Sequence, residues 1–571
     1  MPITPLDILH QNWGYTTFRS NQNQIVDAAI RGENVLAILP TGAGKSICFQ
    51  VPALYVEGLC LVVSPLISLM KDQVENLKRQ KIKAEAIYTG LTKREVDVIL
   101  DNATYGDVKF LYVAPERLRS VAFIERLAKM KINFLVVDEA HCISQWGYDF
   151  RPSYLQIAEV RNHLGNVPLL AFTASATKEV KEDILGKLQI PDASIFKGSF
   201  LRPNLSYSVF QEENKYEKTL HILSKVPGSS VVYASTRKHT ADIAKYLHAQ
   251  KISVDIYHAG LNNRERELKQ KNWKEGKTRV IVATNAFGMG IDKPDVRTVI
   301  HFDIPNSLEA YYQEAGRGGR DGKKAYAVAL FDEEGIEKLY KNLEINYPDE
   351  EYLRRIYQAL ANFFGVAIGG NQYASYDFSF EQFTDRYGFK SAEAFRAIQL
   401  LEKHGFVKLT EGFYEPSKLK FHMEGNDLYR FQVSSPMFDE FIKQVLRIYG
   451  AMVFGHYVKI DEERIARKVK SNIYEVRKTL MKLSKLGVLH YLMQKDKPQL
   501  TFMDYRFDAQ KLPLNFKVMQ RLKAQDKNRL NEMSKFLQND EQCRSYQLAA
   551  YFDEYLKEDC GICDVCLKKV R

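Results

Sequence analysis

A chain of 571 residues is too long for a single core and calls for three or four domains of about 150 residues each. Its residues, 45% hydrophobic and 26% charged, contain no apolar run near the ~18 needed to span a membrane. Met1 to Tyr15 lacks a basic-then-apolar secretion pattern, so a cytoplasmic protein is expected. The balance of 81 basic against 70 acidic residues, a net +11, is compatible with a polyanionic partner, although many basic proteins bind none.

From about residue 20 to 205, short aliphatic runs alternate with helical stretches. The runs are Asn34–Leu39, Leu59–Ser64, Phe110–Val113, Phe134–Val137 and Leu169–Phe172. Continuous rather than alternating apolar runs are the mark of a parallel sheet buried on both faces. The pattern restarts after Pro203, with Ser230–Tyr233, Ser253–Tyr257, Arg279–Ala283, Thr298–His301 and Ala325–Leu330. Two α/β lobes in tandem are expected, meeting near residues 200–215. The expected domains are 1–205, 206–342, 343–515 and 516–571.

Beyond about residue 340 amphipathic helical segments take over. Leu401-Glu-Lys-His-Gly-Phe-Val407 echoes Leu483-Ser-Lys-Leu-Gly-Val-Leu489. Each follows an apolar helical face, and each precedes a stretch with a turn, at Thr410–Gly412 and Lys495–Pro498. Helix, glycine stop and hairpin together describe a winged helix. Two successive units are expected, with a plain helical bundle as the alternative.

Pro40-Thr41-Gly42-Ala43-Gly44-Lys45-Ser46 lies between an apolar strand and a helix. Its glycines let backbone N–H groups curve around phosphates; Lys45 brings charge to the β- and γ-phosphates, and Ser46 offers a hydroxyl to Mg²⁺. Leu39 stands where the strict pattern has glycine. Asp138-Glu139 ends another apolar strand. Asp138 suits Mg²⁺ coordination and Glu139 suits deprotonation of an attacking water. Either motif has a bland reading, as a chance glycine turn or an acidic helix cap; their order and their strand contexts favour a nucleotide site.

Asp138-Glu-Ala-His141 after a phosphate loop resembles superfamily 2 helicases. The resemblance implies two tandem RecA-like lobes within an α/β fold. It implies an adenine-reading role for Gln22, flanked by Arg19 and Tyr15, and a nucleic-acid grip at Ser64-Pro65-Leu66 and Ala114-Pro115-Glu116. Phe172–Thr177 looks like the motif linking ATP state to lobe movement. Val282–Lys293 and Gln313–Gly322 look like the second-lobe motifs, with Arg320 the first candidate arginine finger and Arg317 the second.

His141-Cys-Ile-Ser-Gln-Trp146-Gly-Tyr148-Asp149-Phe150-Arg151-Pro152 is similar to the aromatic-rich loop of RecQ helicases. Trp146 and Phe150 can stack on bases, and Arg151 can bind phosphate or stack. Tyr148 replaces the family's usual histidine, Gly318 its alanine and Ser175 its threonine. Sixteen residues separate Cys543 from Cys560, and two separate each of Cys560, Cys563 and Cys566. That spacing suits a closed tetrahedral Zn²⁺ site and resembles the RecQ zinc module; an iron–sulfur cluster or free thiols are the alternatives.

One departure concerns order: in the family the zinc module usually follows the second lobe directly, whereas here about residues 345–515 intervene, and no winged helix follows Cys566 in this sequence. The inserted units are expected to replace the trailing one, with Lys468, Lys470, Arg477, Lys478, Lys482 and Lys485 meeting phosphates and Lys495–Lys497 as a strand-separating pin. The resemblance implies an ATP-dependent DNA helicase moving 3′→5′ in repair or recombination, using ATP, Mg²⁺ and Zn²⁺ on single-stranded and duplex DNA. The rivals are an RNA-remodelling enzyme of the same superfamily and a DNA-binding regulator with a vestigial ATPase clamp.

Overall fold

The computed structural model describes residues 3–570 apart from 89–90, 92, 119, 145, 148–149, 259, 262, 288–292, 371–374, 411–416, 456 and 493–498. The chain forms two compact units, Met1–Leu343 joined by Lys517–Arg571, and Glu344–Phe516. Among the described residues no helix is long and apolar enough to cross a membrane.

The first unit holds two parallel sheets. The strands of one are β1 (Val35–Ile38), β2 (Leu59–Val63), β3 (Ala84–Ile87), β4 (Phe110–Val113), β5 (Ile132–Val137), β6 (Leu169–Thr173) and β7 (Ser194–Lys197). Their order is β3-β4-β2-β5-β6-β1-β7. The other comprises β8 (Leu205–Gln211), β9 (Ser229–Tyr233), β10 (Val254–Tyr257), β11 (Val280–Ala283), β12 (Val296–His301) and β13 (Ala325–Phe331), ordered β10-β11-β9-β12-β13-β8. The five aliphatic runs of each half are strands at nearly the expected bounds, and β1, β2 and β4 are buried throughout. Helices on both faces exclude water from these strands, which is why they carry no polar alternation.

Three strands escaped the aliphatic pattern. β7 and β8 are edge strands with partly exposed faces, so polar residues interrupt their apolar ones. β3, also at an edge, carries Glu85 in its middle. The change of sheet falls between Lys197 and Leu205.

The helices Phe516–Gln538 and Arg544–Tyr551 join this unit through Met533, Phe536, Leu537, Leu548 and Phe552, in one core with Tyr311 and Tyr312 of the second lobe and Leu205. Phe552 stacks on Phe200 with ring centroids 4.4 Å apart. Lys197 Nζ donates to the Phe552 carbonyl at 2.6 Å, and the Glu554 carboxylate accepts the Ser199 hydroxyl and the Phe200 amide, each at 2.6 Å. The segment joining the two sheets is therefore clasped by the C-terminal module.

The second unit corrects an expectation. Its strands are β14 (Ser375–Asp377), β15 (Val407–Thr410), β16 (Lys418–Phe421), β17 (Val458–Lys459), β18 (Leu489–Leu492) and β19 (Gln499–Phe502). β15 pairs antiparallel with β19, Thr410 opposite Gln499, in the sheet β14-β19-β15. β16 pairs with β17 and β18 in a sheet of its own. The two winged-helix-like units are thus nested: the one spanning β16 to β18 is inserted in the wing of the other. The repeated Leu…Gly pattern ends two helices as expected, with Gly405 and Gly487 at φ 81° and 73°, values that only glycine adopts without penalty. Most of both supposed hairpin turns, and the Lys495–Lys497 pin, lie outside the described residues.

Candidate nucleotide site and its surroundings

The phosphate loop follows β1, and the acid pair follows β5, with β6 alone between those strands. Parallel strands bring both motifs to the carboxyl edge of one sheet, where α/β folds place ligands. Gly42 and Gly44 take positive φ values of 86° and 80°, and the helix Lys45–Tyr55 starts immediately after. Its N-terminal amides and positive dipole end face the loop. Ala43 closes the turn by donating its amide to the Pro40 carbonyl at 3.1 Å.

Lys45 Nζ lies 4.0 Å from Glu139 Oε1. Burial, then the neighbouring Glu139 charge, pushes the Asp138 carboxyl up to about 7 against the pull of Lys45. A carboxylate and a hydroxyl are hard oxygen donors of the kind that Mg²⁺ takes beside phosphates. Asp138 and Ser46, whose Oγ accepts from Gln73 Nε2 at 3.1 Å, fit Mg²⁺ in that sense.

Glu139 has a left-handed backbone, φ 49°, an uncommon state for a residue with a side chain. The Tyr154 hydroxyl donates to the preceding Asp138 carbonyl at 2.9 Å and helps hold this turn. His141 is buried with Nδ1 2.9 Å from the Thr173 hydroxyl and 3.5 Å from Glu139 Oε2. The imidazole thus lies between the Glu139 carboxylate and the Phe172–Thr177 segment.

Across the site stands the second lobe. A methyl group built on Gly42 would sit 3.4 Å from Arg320 Cγ, so the Arg320 stem lies on the phosphate loop. Arg317 is buried and hydrogen-bonds Tyr233. Glu314, on the helix leading into both arginines, is held by His301 Nε2 at 2.9 Å. Arg202, which no motif signalled, donates to the carbonyls of Thr41 (3.2 Å), Gly316 (3.3 Å) and Gly318 (2.9 Å), stitching the two lobes at this point. Lys274 and Asp72 form a second tie between lobes at 2.8 Å.

The other expected residues make further contacts. Gln22 donates to the carbonyls of Ala43 (3.0 Å) and Gly44 (3.3 Å), and accepts the Arg19 amide; Arg19 Nη1 donates to the Gly42 carbonyl at 2.9 Å. Both side chains brace the phosphate loop, while Tyr15 stands half exposed. Ser64, expected within a strand-end grip on nucleic acid, has its side chain fully buried beside Asp138. Arg151 Nη1 donates to the Pro65 carbonyl at 2.7 Å, so it braces that strand end. Lys187 Nζ lies 5.7 Å from the Phe150 ring centre. Trp146 is partly buried and packs against the core. Gln145, Tyr148, Asp149 and Gly288–Asp292 lie outside the described residues.

Cys543, Cys560, Cys563 and Cys566 bring their sulfurs within 4.8 Å of one another. Individual separations are 4.0 Å (Cys560–Cys566), 4.0 Å (Cys543–Cys563) and 3.3 Å (Cys563–Cys566). A tetrahedral ion with bonds of ~2.3 Å sets sulfurs about 3.8 Å apart, so the donor set fits Zn²⁺. The amide of Cys560 donates to Cys543 Sγ at 3.3 Å, and that of Cys566 to Cys563 Sγ at 3.4 Å. Buried Arg544 braces the cluster by pairing with Asp564 at 3.1 Å.

In the second unit Lys468, Lys470, Lys478, Lys482 and Lys485 are exposed around two consecutive helices. Arg477, partly exposed, pairs with the buried Glu462 at 2.5 Å.

Four family models match the chain: DEAD/DEAH box helicase over residues 19–183, helicase conserved C-terminal domain over 214–322, RecQ helicase winged-helix domain (Bacteroidota) over 419–493, and RecQ zinc-binding over 494–567. The third coincides with the nested unit and the fourth contains the cysteine cluster. A protein of Pasteurella multocida described as ATP-dependent DNA helicase RecQ is 41% identical over 341 residues, 60% of this chain and 54% of the relative. Like-named proteins of Haemophilus influenzae and Bacillus subtilis are 40% and 41% identical, over 58% of this chain in each case and 53% and 56% of the relative. The matched stretch thus spans little more than half the length of each.

Proposed function

We propose that the chain is an ATP-dependent DNA helicase of the RecQ family, the family that its helicase, winged-helix and zinc-binding matches point to. One observation carries the proposal: Arg320 of the second lobe lies on Gly42 of the phosphate loop, whose Lys45 is 4.0 Å from Glu139. The triphosphate would be held by the loop amides and Lys45, with Gln22, Arg19 and Tyr15 toward the base. Mg²⁺ on Ser46 and Asp138 would neutralise charge developing on the phosphates. Glu139 accepts the proton of the attacking water, and Arg320, with Arg317 behind it, stabilises the γ-phosphate as an arginine finger. A cleft that closes on ATP and relaxes after hydrolysis turns each cycle into a relative movement of the lobes.

Trp146, Phe150 and Arg151 form the loop that would meet single-stranded DNA, and the exposed lysines of the nested unit would meet duplex phosphates. Movement 3′→5′, a role in repair or recombination, a cytoplasmic location and division at residues 205, 342 and 515 belong to the same reading. The test is ATP-driven separation of duplexes with 3′ or 5′ tails, DNA and RNA in parallel. Separation of 3′-tailed DNA supports the proposal. RNA activity alone favours the remodelling rival, and absence of DNA-stimulated ATP hydrolysis favours the regulator.

A further inference from the structure

The main chain of the aromatic loop is held by the long helix that precedes the cysteine cluster. Gln525 Nε2, on the helix Phe516–Gln538, donates to the Trp146 carbonyl at 3.1 Å, and Arg529 Nη2 donates to the same oxygen. Arg529 Nε lies 3.4 Å from Glu309 Oε1, and Nη1 lies 2.9 Å from Asp526. Both ends of the Arg529–Glu309 pair are buried, at 11% and 7% side-chain exposure. Tyr551 also hydrogen-bonds Glu309.

Glu309 is in the first turn of the helix Leu308–Ala315, whose far end leads directly into Arg317 and Arg320. One guanidinium therefore touches the loop that follows the hydrolytic acids and the helix that carries the arginine fingers. A buried ion pair contributes little net stability compared with apolar packing, because desolvation offsets attraction. Its worth is directional: a planar guanidinium fixes two partners relative to each other. Beside Trp146 a cavity of about 680 Å³, lined by Glu182, Asp183, Arg521 and Asn528 among others, leaves the loop room to shift.

We propose that Arg529 is a positioning residue that transmits occupancy of the aromatic loop to the helix Leu308–Ala315, and through it to Arg320. The proposal rests on the loop being the strand-binding element. A strand that draws Trp146 toward the solvent pulls on its carbonyl, alters the Arg529–Glu309 geometry and reorients the finger helix. Hydrolysis then becomes fast only when DNA is present.

The experiment uses the full chain with Arg529→Gln, Arg529→Lys, Glu309→Gln and the Arg529→Gln/Glu309→Gln double variant. ATP turnover is measured with and without an oligothymidylate, alongside oligothymidylate affinity, zinc content and thermal transition. The expected result for Arg529→Gln is basal turnover within about twofold of wild type, affinity within about threefold, and DNA-stimulated kcat reduced about tenfold. Arg529→Lys, which keeps the charge but not the fork, should recover part of the stimulation. The double variant should be no worse than the single ones. Full stimulation in Arg529→Gln overturns the proposal and leaves the helicase reading intact. Loss of zinc or of the thermal transition in both Arg529 variants also overturns it, by making the residue structural. A wild type that DNA does not stimulate removes the helicase reading, and this proposal with it.

Discussion

Arg320 rests its aliphatic stem on Gly42, with 3.4 Å between its Cγ and the position a Gly42 Cβ would occupy. The contact sets two demands on one residue. Gly42 must have φ 86° for the loop to curl, and it must lack a side chain for the arginine to approach. Arg320→Ala should lower DNA-stimulated kcat by about 10³ with ATP affinity little changed, because the finger acts on charge that develops during transfer. Gly42→Val should lose both nucleotide affinity and turnover. Steady-state kinetics with nucleotide titration decide; an Arg320→Ala enzyme that turns over normally would remove the arginine from the reaction.

In the proposed reaction Glu139 takes the proton of water; Lys45 and His141 lie within 4.0 Å and 3.5 Å of its carboxylate. Glu139→Gln should reduce turnover by about 10²–10⁴ while ATP still binds, since the amide keeps the shape and loses the base. Single-turnover hydrolysis and fluorescent-nucleotide binding separate the two effects. Loss of binding equal to the loss of rate would show that the carboxylate holds the nucleotide and not the water.

The zinc module clasps the segment between the sheets through Phe552 and Glu554. Removing Zn²⁺ with a chelator, or making Cys563→Ser, should lower the melting temperature of the first unit, because metal binding is coupled to folding of the knuckles. Phe552→Ala should cost about 3–5 kcal/mol, as for other large buried rings. Differential scanning calorimetry checks both. A melting temperature indifferent to the chelator would refute the structural role of the metal.

His239 and Asp303 face each other at 2.7 Å in the second lobe. The hydrogen bond to Asp303 raises the His239 imidazole above its ordinary value, against burial. Burial alone would raise Asp303, but His239 and the Ser235 amide hold it below the usual carboxylate range. The raised histidine stabilises fully below its unfolded value near 6.5 and loses this as pH rises through its folded value. The depressed aspartate stabilises above its unfolded value near 3.9 and loses this as pH falls through its folded value. The pair is therefore strongest at about pH 5–6. The melting-temperature deficit of His239→Gln should be largest there and shrink toward pH 9; a deficit constant with pH would exclude the pair as its source.

Much of this architecture was legible one segment at a time. Ten strands were readable because a sheet covered on both faces needs unbroken aliphatic runs. The phosphate loop, the acid pair, the arginine motif and the cysteine knuckles were readable because each lies within a few bonded residues, where spacing controls geometry. The edge strands β3, β7 and β8 were not, because partly wetted strands carry polar residues that break the runs.

The nesting of one winged unit in the wing of another was hidden for a different reason. The pairing of Thr410 with Gln499 is set by hydrogen bonds across 88 intervening residues, and nothing local distinguishes it from two hairpins in series. Sequence also could not decide what Ser64, Arg202, Gln22 and Arg529 do. A hydroxyl, an amide or a guanidinium takes its role from whichever carbonyl or carboxylate the fold brings within about 3 Å, and that neighbour comes from elsewhere in the chain. Local chemistry belongs to the motif; the joining of lobe to lobe, and of loop to arginine finger, belongs to tertiary structure, because only folding brings the partners together.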